Sequence, residues 1–121
     1  MVKGQAIDIN SVNRFLTLEE LELMHHKKTG ALILASIIMG ALSTGKATKL
    51  QLDALKNYGI SIGLAFQVQD DILDVSGETK IIGKVAGSDQ VLNKATYVKL
   101  LGLDGARKKA LQLHESAIAC L

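Results

Sequence analysis

The chain has 121 residues and a net charge of +2, so it forms one domain at most, or part of one. So small a charge gives no electrostatic footprint for a nucleic-acid partner, and four aromatic residues (Phe15, Tyr58, Phe66 and Tyr97) offer little to stack bases. The apolar share is 48% and proline is absent, which points to an all-α chain with an aliphatic core.

Residues 3–9 read as the tail of a helix and 10–16 as a loop. Thr17-Leu18-Glu19-Glu20 has the Thr-x-x-Glu spacing of a capping box and predicts a helix running through Leu21 and Met24. A break is expected at Lys28-Thr29, next to Gly30, where backbone N–H groups are left without helical partners. An apolar helix then runs from Ala31 to the Ser43-Thr44-Gly45 stop. The apolar stretch 30–42 is 13 residues long. A transmembrane helix needs about 20, so we read it as a core helix. No signal peptide is visible, and a single cysteine, Cys120, excludes an internal disulfide. Together these fit a cytoplasmic protein.

Thr48 or Lys49 opens a long helix through Leu52, Leu55, Ile62, Phe66, Ile72 and Val75, with Gly77 as its cap. Residues 77–88 contain three glycines and read as a loop. A helix over 90–101 follows, then another opened and capped by Asp104, with no stop signal at Leu121. Both ends read as cut, as in a piece of a larger helical domain.

The segment from Phe66 to Asp74 sets Asp70, Asp71 and Asp74 inside a run that otherwise reads as buried helix. Buried charges need a partner or a metal, and three like charges cannot neutralise one another. At 100° per residue, with Asp70 as origin, Asp74 falls at about 40°, Gln67 at about 60° and Asp71 at about 100°. The four share one helix face. Gly63 falls at about 20°, where its missing side chain leaves room for a ligand. No His or Cys lies within eight residues, so the oxygen set favours Mg²⁺ or Mn²⁺ over zinc. Mg²⁺ held by one or two carboxylates usually binds a phosphate as well, so the face predicts a phosphorylated or diphosphorylated ligand. The alternative is a solvated helix face that happens to carry three aspartates.

Three lysines are candidates to meet that phosphate: Lys28 at the helix break, Lys84 in the glycine-rich loop and Lys94 at the opening of the next helix. Each is otherwise a surface lysine. The loop is not a P-loop, because GxxxxGK[ST] is absent. His25 and His26 point about 100° apart on a helix and make a poor metal pair; packing or surface roles suit them better.

Several ordered stretches resemble the trans-isoprenyl diphosphate synthases, above all those of bacterial farnesyl diphosphate synthase type. They are Gly4-Gln5-Ala6-Ile7-Asp8, Met24-His25-His26-Lys27-Lys28-Thr29-Gly30-Ala31-Leu32, the run from Gly63 to Val75, Gly83-Lys84, Gly87, Asp89 and Lys94-Ala95-Thr96-Tyr97. The resemblance implies an all-α fold, part of the isoprenoid synthase helical bundle around a central cavity. It makes residues 1–121 a partial polyprenyl synthetase domain, truncated at both ends. It implies condensation of isopentenyl diphosphate with an allylic diphosphate, dimethylallyl or geranyl, in an enzyme that is a homodimer at full length. On the same ground Asp70, Asp71 and Asp74 form the Mg²⁺ side of the diphosphate site, with Asp70 the direct ligand. Lys28, Lys84 and Lys94 hold the allylic diphosphate, and Thr29 and Gln67 lie beside the reacting carbons.

The chain departs from the family in containing no first aspartate-rich motif and none of the basic residues that bind isopentenyl diphosphate. Val98 stands where proline is frequent, and Ala95 where Ser or Cys is frequent. These 121 residues are therefore expected to hold one wall of a site and to be inactive alone. A non-catalytic Mg²⁺-diphosphate-binding module and a partner subunit of a hetero-oligomeric synthase are the other readings.

Overall fold

A computed structural model describes residues 1–76 and 94–121. Among these residues all regular structure is helical: α1 (Val2–Asn10), α2 (Leu18–His25), a π-helical turn (His26–Gly30), α3 (Ala31–Ser43), α4 (Lys49–Ser76) and α5 (Tyr97–Ala119). Gly77, Lys84 and the start of the helix expected over 90–101 lie outside the described residues.

The local causes are visible. Thr17 caps α2 with its hydroxyl on the Glu20 N–H, and the Glu20 carboxylate takes the Thr17 N–H in return. Thr48 and Gln51 repeat that exchange at the start of α4. Gly45 closes α3 at φ +64, a left-handed conformation in which a side chain is costly.

The expected break at Lys28-Thr29 does not occur. The helix widens there into one π turn, and the Ala31 N–H reaches the His26 carbonyl five residues back. Residues 18–43 therefore run as one continuous rod. What this turn offers is the side chains of Lys28 and Thr29 rather than orphaned amides.

The last helix also differs from expectation. Residues 94–96 are not helical, and α5 starts only at Tyr97. Two acceptors fix that point: Thr96 Oγ1 takes the Lys99 N–H, and Asp71 Oδ2 takes the Tyr97 N–H at 2.7 Å. The later break falls at Gly102 (φ 71, ψ 167), and Asp104 is not a cap, because only Gly102 leaves helical φ/ψ and Asp104 lies inside the helix that follows.

α4 is the central rod, with α5 packed along it, α3 beside it and the π turn against it. The core joins Leu16, Leu21, Met24, Val68, Ile72, Tyr97 and Ala106. Leu21 and Val68 are fully buried, each worth about 1.5–3 kcal/mol relative to exposure. Gly63 does not open a ligand space. A Cβ there would stand 3.2 Å from Gly30 Cα, so the missing side chain lets α4 press against the π turn. α3 is different: it is strongly apolar, yet none of its residues is buried.

Candidate functional site

α1 lies against the π turn because Gly4 has no side chain; a Cβ at Gly4 would overlap the Lys28 backbone. One helical turn later on the same face, α1 presents Asp8. Asp8 is 6% exposed. Its Oδ2 accepts from Lys28 Nζ at 2.7 Å and sits 3.5 Å from Lys94 Nζ. Burial pushes the Asp8 carboxyl up, but the hydrogen bond and charge of Lys28, with Lys94 behind them, outweigh it and hold the group below its ordinary range. The sequence's signal for Asp8 is its place at the end of Gly4-Gln5-Ala6-Ile7-Asp8, one of the stretches that carry the family resemblance.

Two of the three candidate lysines thus converge on one oxygen, from segments far apart in the chain. Lys94 is also fixed through its backbone, since its carbonyl accepts from Lys99 Nζ at 2.6 Å. Thr29 stands beside Lys28, and both line a groove of about 590 Å³ whose apolar wall includes Val2, Ala6, Ile9 and Leu32.

On α4 the carboxylates are not a solvated face. Asp71 and Asp74 are buried, at 5% and 2% exposure, and Asp70 is half-buried. Asp71 gives one oxygen to the Tyr97 N–H and so ties α4 to the start of α5. Gln67, one turn earlier, is buried too.

Between these groups sits His25, buried and stacked on the Tyr97 ring with centroids 5.5 Å apart and planes inclined by 16°. Burial, aided by the charge of Lys28, pushes its pKa down to about 4, against the opposing pull of Asp8, Gln67 and Asp70. The ring is therefore neutral near pH 7, and the packing role expected for it is the one it has. Tyr97 is fully buried, and burial next to Glu22 and Asp71 raises its hydroxyl pKa far above the ordinary value.

Among the described residues no three His, Cys, Asp or Glu side chains gather closely enough to hold a metal by themselves. The donors that α4 sets on this face are carboxylate oxygens, a set that fits a divalent cation with a preference for oxygen.

Comparison with known proteins gives the family of the chain. The family model described as polyprenyl synthetase matches residues 1–119. The farnesyl diphosphate synthase of Escherichia coli (strain K12) is 52% identical over 117 residues, which are 97% of this chain and 39% of that enzyme. The chloroplastic geranylgeranyl pyrophosphate synthase of Capsicum annuum is 43% identical over 118 residues, 97% of this chain and 32% of that enzyme. A crystal structure of the geranyltransferase of Helicobacter pylori, complexed with magnesium and isoprenyl diphosphate, superposes with a TM-score of 0.89 at 38% identity, covering 99% of this chain and 39% of that one. The chain belongs to the polyprenyl synthetase family, and its helices are part of that family's all-α bundle. It spans about two fifths of the length of the farnesyl diphosphate synthases it matches. No helix among the described residues is long and apolar enough to cross a membrane.

Proposed function

We propose that this chain supplies one wall of the active site of a farnesyl-type diphosphate synthase, a prenyltransferase that joins isopentenyl diphosphate to dimethylallyl or geranyl diphosphate. The observation that carries the reading is the convergence of Lys28 and Lys94 on one oxygen of Asp8, with Lys28 also on the wall of an apolar groove. Cations bind the diphosphate, and the groove takes the hydrocarbon tail; its volume lies in the usual range for small-molecule sites.

Lys28 and Lys94, with Lys84 from the segment outside the described residues, hold the allylic diphosphate. Their charge stabilises the oxygen that becomes the leaving group as the allylic C–O bond breaks. Asp70 is the residue we assign to hold Mg²⁺, with Asp71 and Asp74 behind it. When bound, the ion supplies further charge neutralisation at the departing pyrophosphate. The hydroxyl of Thr29 and the amide of Gln67 direct dipoles at the allylic cation without competing as strong nucleophiles. The isopentenyl double bond then attacks, and a proton is lost to the pyrophosphate. The aliphatic walls exclude the water that would quench the cation. The same reading makes the assembled enzyme a cytoplasmic homodimer, on the strength of the resemblance.

Calorimetric titration with inorganic pyrophosphate, with and without Mg²⁺, tests the assignment. Asp70→Ala is expected to weaken Mg²⁺-linked binding by at least tenfold, a loss of about 1.4 kcal/mol. Asp53→Ala, an exposed site earlier on α4, should leave it unchanged. Equal effects of the two substitutions would overturn the site. The 121 residues alone are expected not to turn over geranyl diphosphate, since they contain no first aspartate-rich motif.

A further inference from the structure

We infer that Asp8 is a positioning residue, which gathers Lys28 and Lys94 into a single anion-binding pair and holds them ready for a diphosphate. This rests on the functional reading above and adds to it a residue with no assigned role. The argument starts with repulsion. Two ammonium groups that share one small site push each other apart, and long lysine side chains lose rotamer freedom when fixed. Neither cost is met by Lys28 and Lys94 alone.

The Asp8 carboxylate meets both. One oxygen touches Lys28 at 2.7 Å and Lys94 at 3.5 Å, so the ammonium groups lie on a common centre. The carboxylate is 7% exposed, whereas the Lys28 and Lys94 side chains are 30% and 28% exposed. The anion is thus enclosed while the cations keep an open side. Each ammonium has three N–H donors, and contact with Asp8 occupies one of them. Two donors on each lysine remain for phosphate oxygens, and the trio keeps a net charge of +1. Because the lysines hold the Asp8 carboxyl below its ordinary range, it stays ionised through the physiological range.

The backbone builds this in. Gly4 allows α1 to touch the π turn, which delivers Asp8 to Lys28 one turn later. On the other side, Asp71 fixes the Tyr97 N–H and Lys99 fixes the Lys94 carbonyl, which brings Lys94 to the same oxygen.

A mutant cycle on the 121-residue chain tests the inference, with inorganic pyrophosphate as the probe. Asp8→Asn keeps size and an acceptor but removes the charge. It is expected to weaken pyrophosphate binding about tenfold in the native background, and no more than threefold when Lys28→Met is already present. Asp8→Glu should restore most of the loss. Unchanged or tighter binding by Asp8→Asn would show Asp8 to be a mere competitor for the lysines and would overturn the inference. An equal loss in both backgrounds would do the same, since it would mark a general structural defect. Nitrogen-15 spectra of the lysine ammonium groups judge the pairing without any ligand. Slowly exchanging Lys28 and Lys94 signals that vanish together in Asp8→Asn uphold it, and signals that persist overturn it. If the unsubstituted chain binds no pyrophosphate, the functional reading fails on its own, and the spectra still decide the part played by Asp8.

Discussion

Protonation of His25 should unlock the junction between α2, α4 and α5. The ring is buried on Tyr97, and among the described residues neither nitrogen has a hydrogen-bond partner of good geometry. Its pKa falls from 6.5 to about 4 on folding. Between these values the unfolded chain binds a proton that the folded chain refuses, so stability rises with pH across that window. The contribution is complete above pH 6.5 and is lost as pH falls toward 4. At 1.36 kcal/mol per unit, the loss is about 2 kcal/mol by pH 5 and about 3 kcal/mol by pH 4. The groups facing the ring are Lys28, which adds to the shift, and Asp8, Gln67 and Asp70, which oppose it. Urea denaturation at pH 7, 6, 5 and 4 measures the effect, with His25→Phe as the reference. Phenylalanine keeps a ring against Tyr97 and cannot titrate, so the other acidic groups cancel in the comparison. The native chain should lose about 3 kcal/mol more than His25→Phe between pH 7 and 4. Parallel stability curves for the two proteins would refute the argument.

Gly4→Ala should lower stability by about 1–3 kcal/mol, because the new Cβ meets the Lys28 backbone and α1 must move away. A lowered thermal midpoint together with weaker pyrophosphate binding would bear this out. Asp71→Ala should cost about 1–3 kcal/mol by removing a buried acceptor from the Tyr97 N–H, while Asp71→Asn keeps an acceptor and should lose less than half of that in the same denaturation experiment. The exposed Leu32, Met39 and Leu42 of α3 should make the 121-residue chain associate at micromolar concentration. Analytical ultracentrifugation showing a monomer throughout would contradict this.

The parts legible in the sequence were those governed by neighbouring residues. Thr17 and Glu20 announce the start of α2 because a capping box is complete within four positions. The start of α4 beside Thr48 and the stop at Gly45 follow from equally local signals. Four other features depend on pairs distant in the chain. Gly63 looked like ligand space on a helical wheel, but the wheel cannot show Gly30 arriving from another helix. Asp71 looked like part of a uniform carboxylate face, yet one of its oxygens serves a backbone amide 26 residues onward. The start of α5 at Tyr97 depends on that same bond. Asp8 attracted no role, because nothing in its own segment reveals the two lysines that reach it. Lys28 and Lys94 were identified by resemblance, and only the folded chain brings them onto one atom.

The wide turn at 26–30 acts as a phase shifter. Closing it by one residue into a regular helix would rotate everything on its N-terminal side by about 100° relative to α3. His25 could not then face Tyr97 while α3 kept its place along α4, because a uniform pitch would turn one of them away. A single-codon deletion in this stretch should therefore leave the helix content nearly intact and still dismantle the site, a vulnerability set by rotation rather than by the loss of any one side chain.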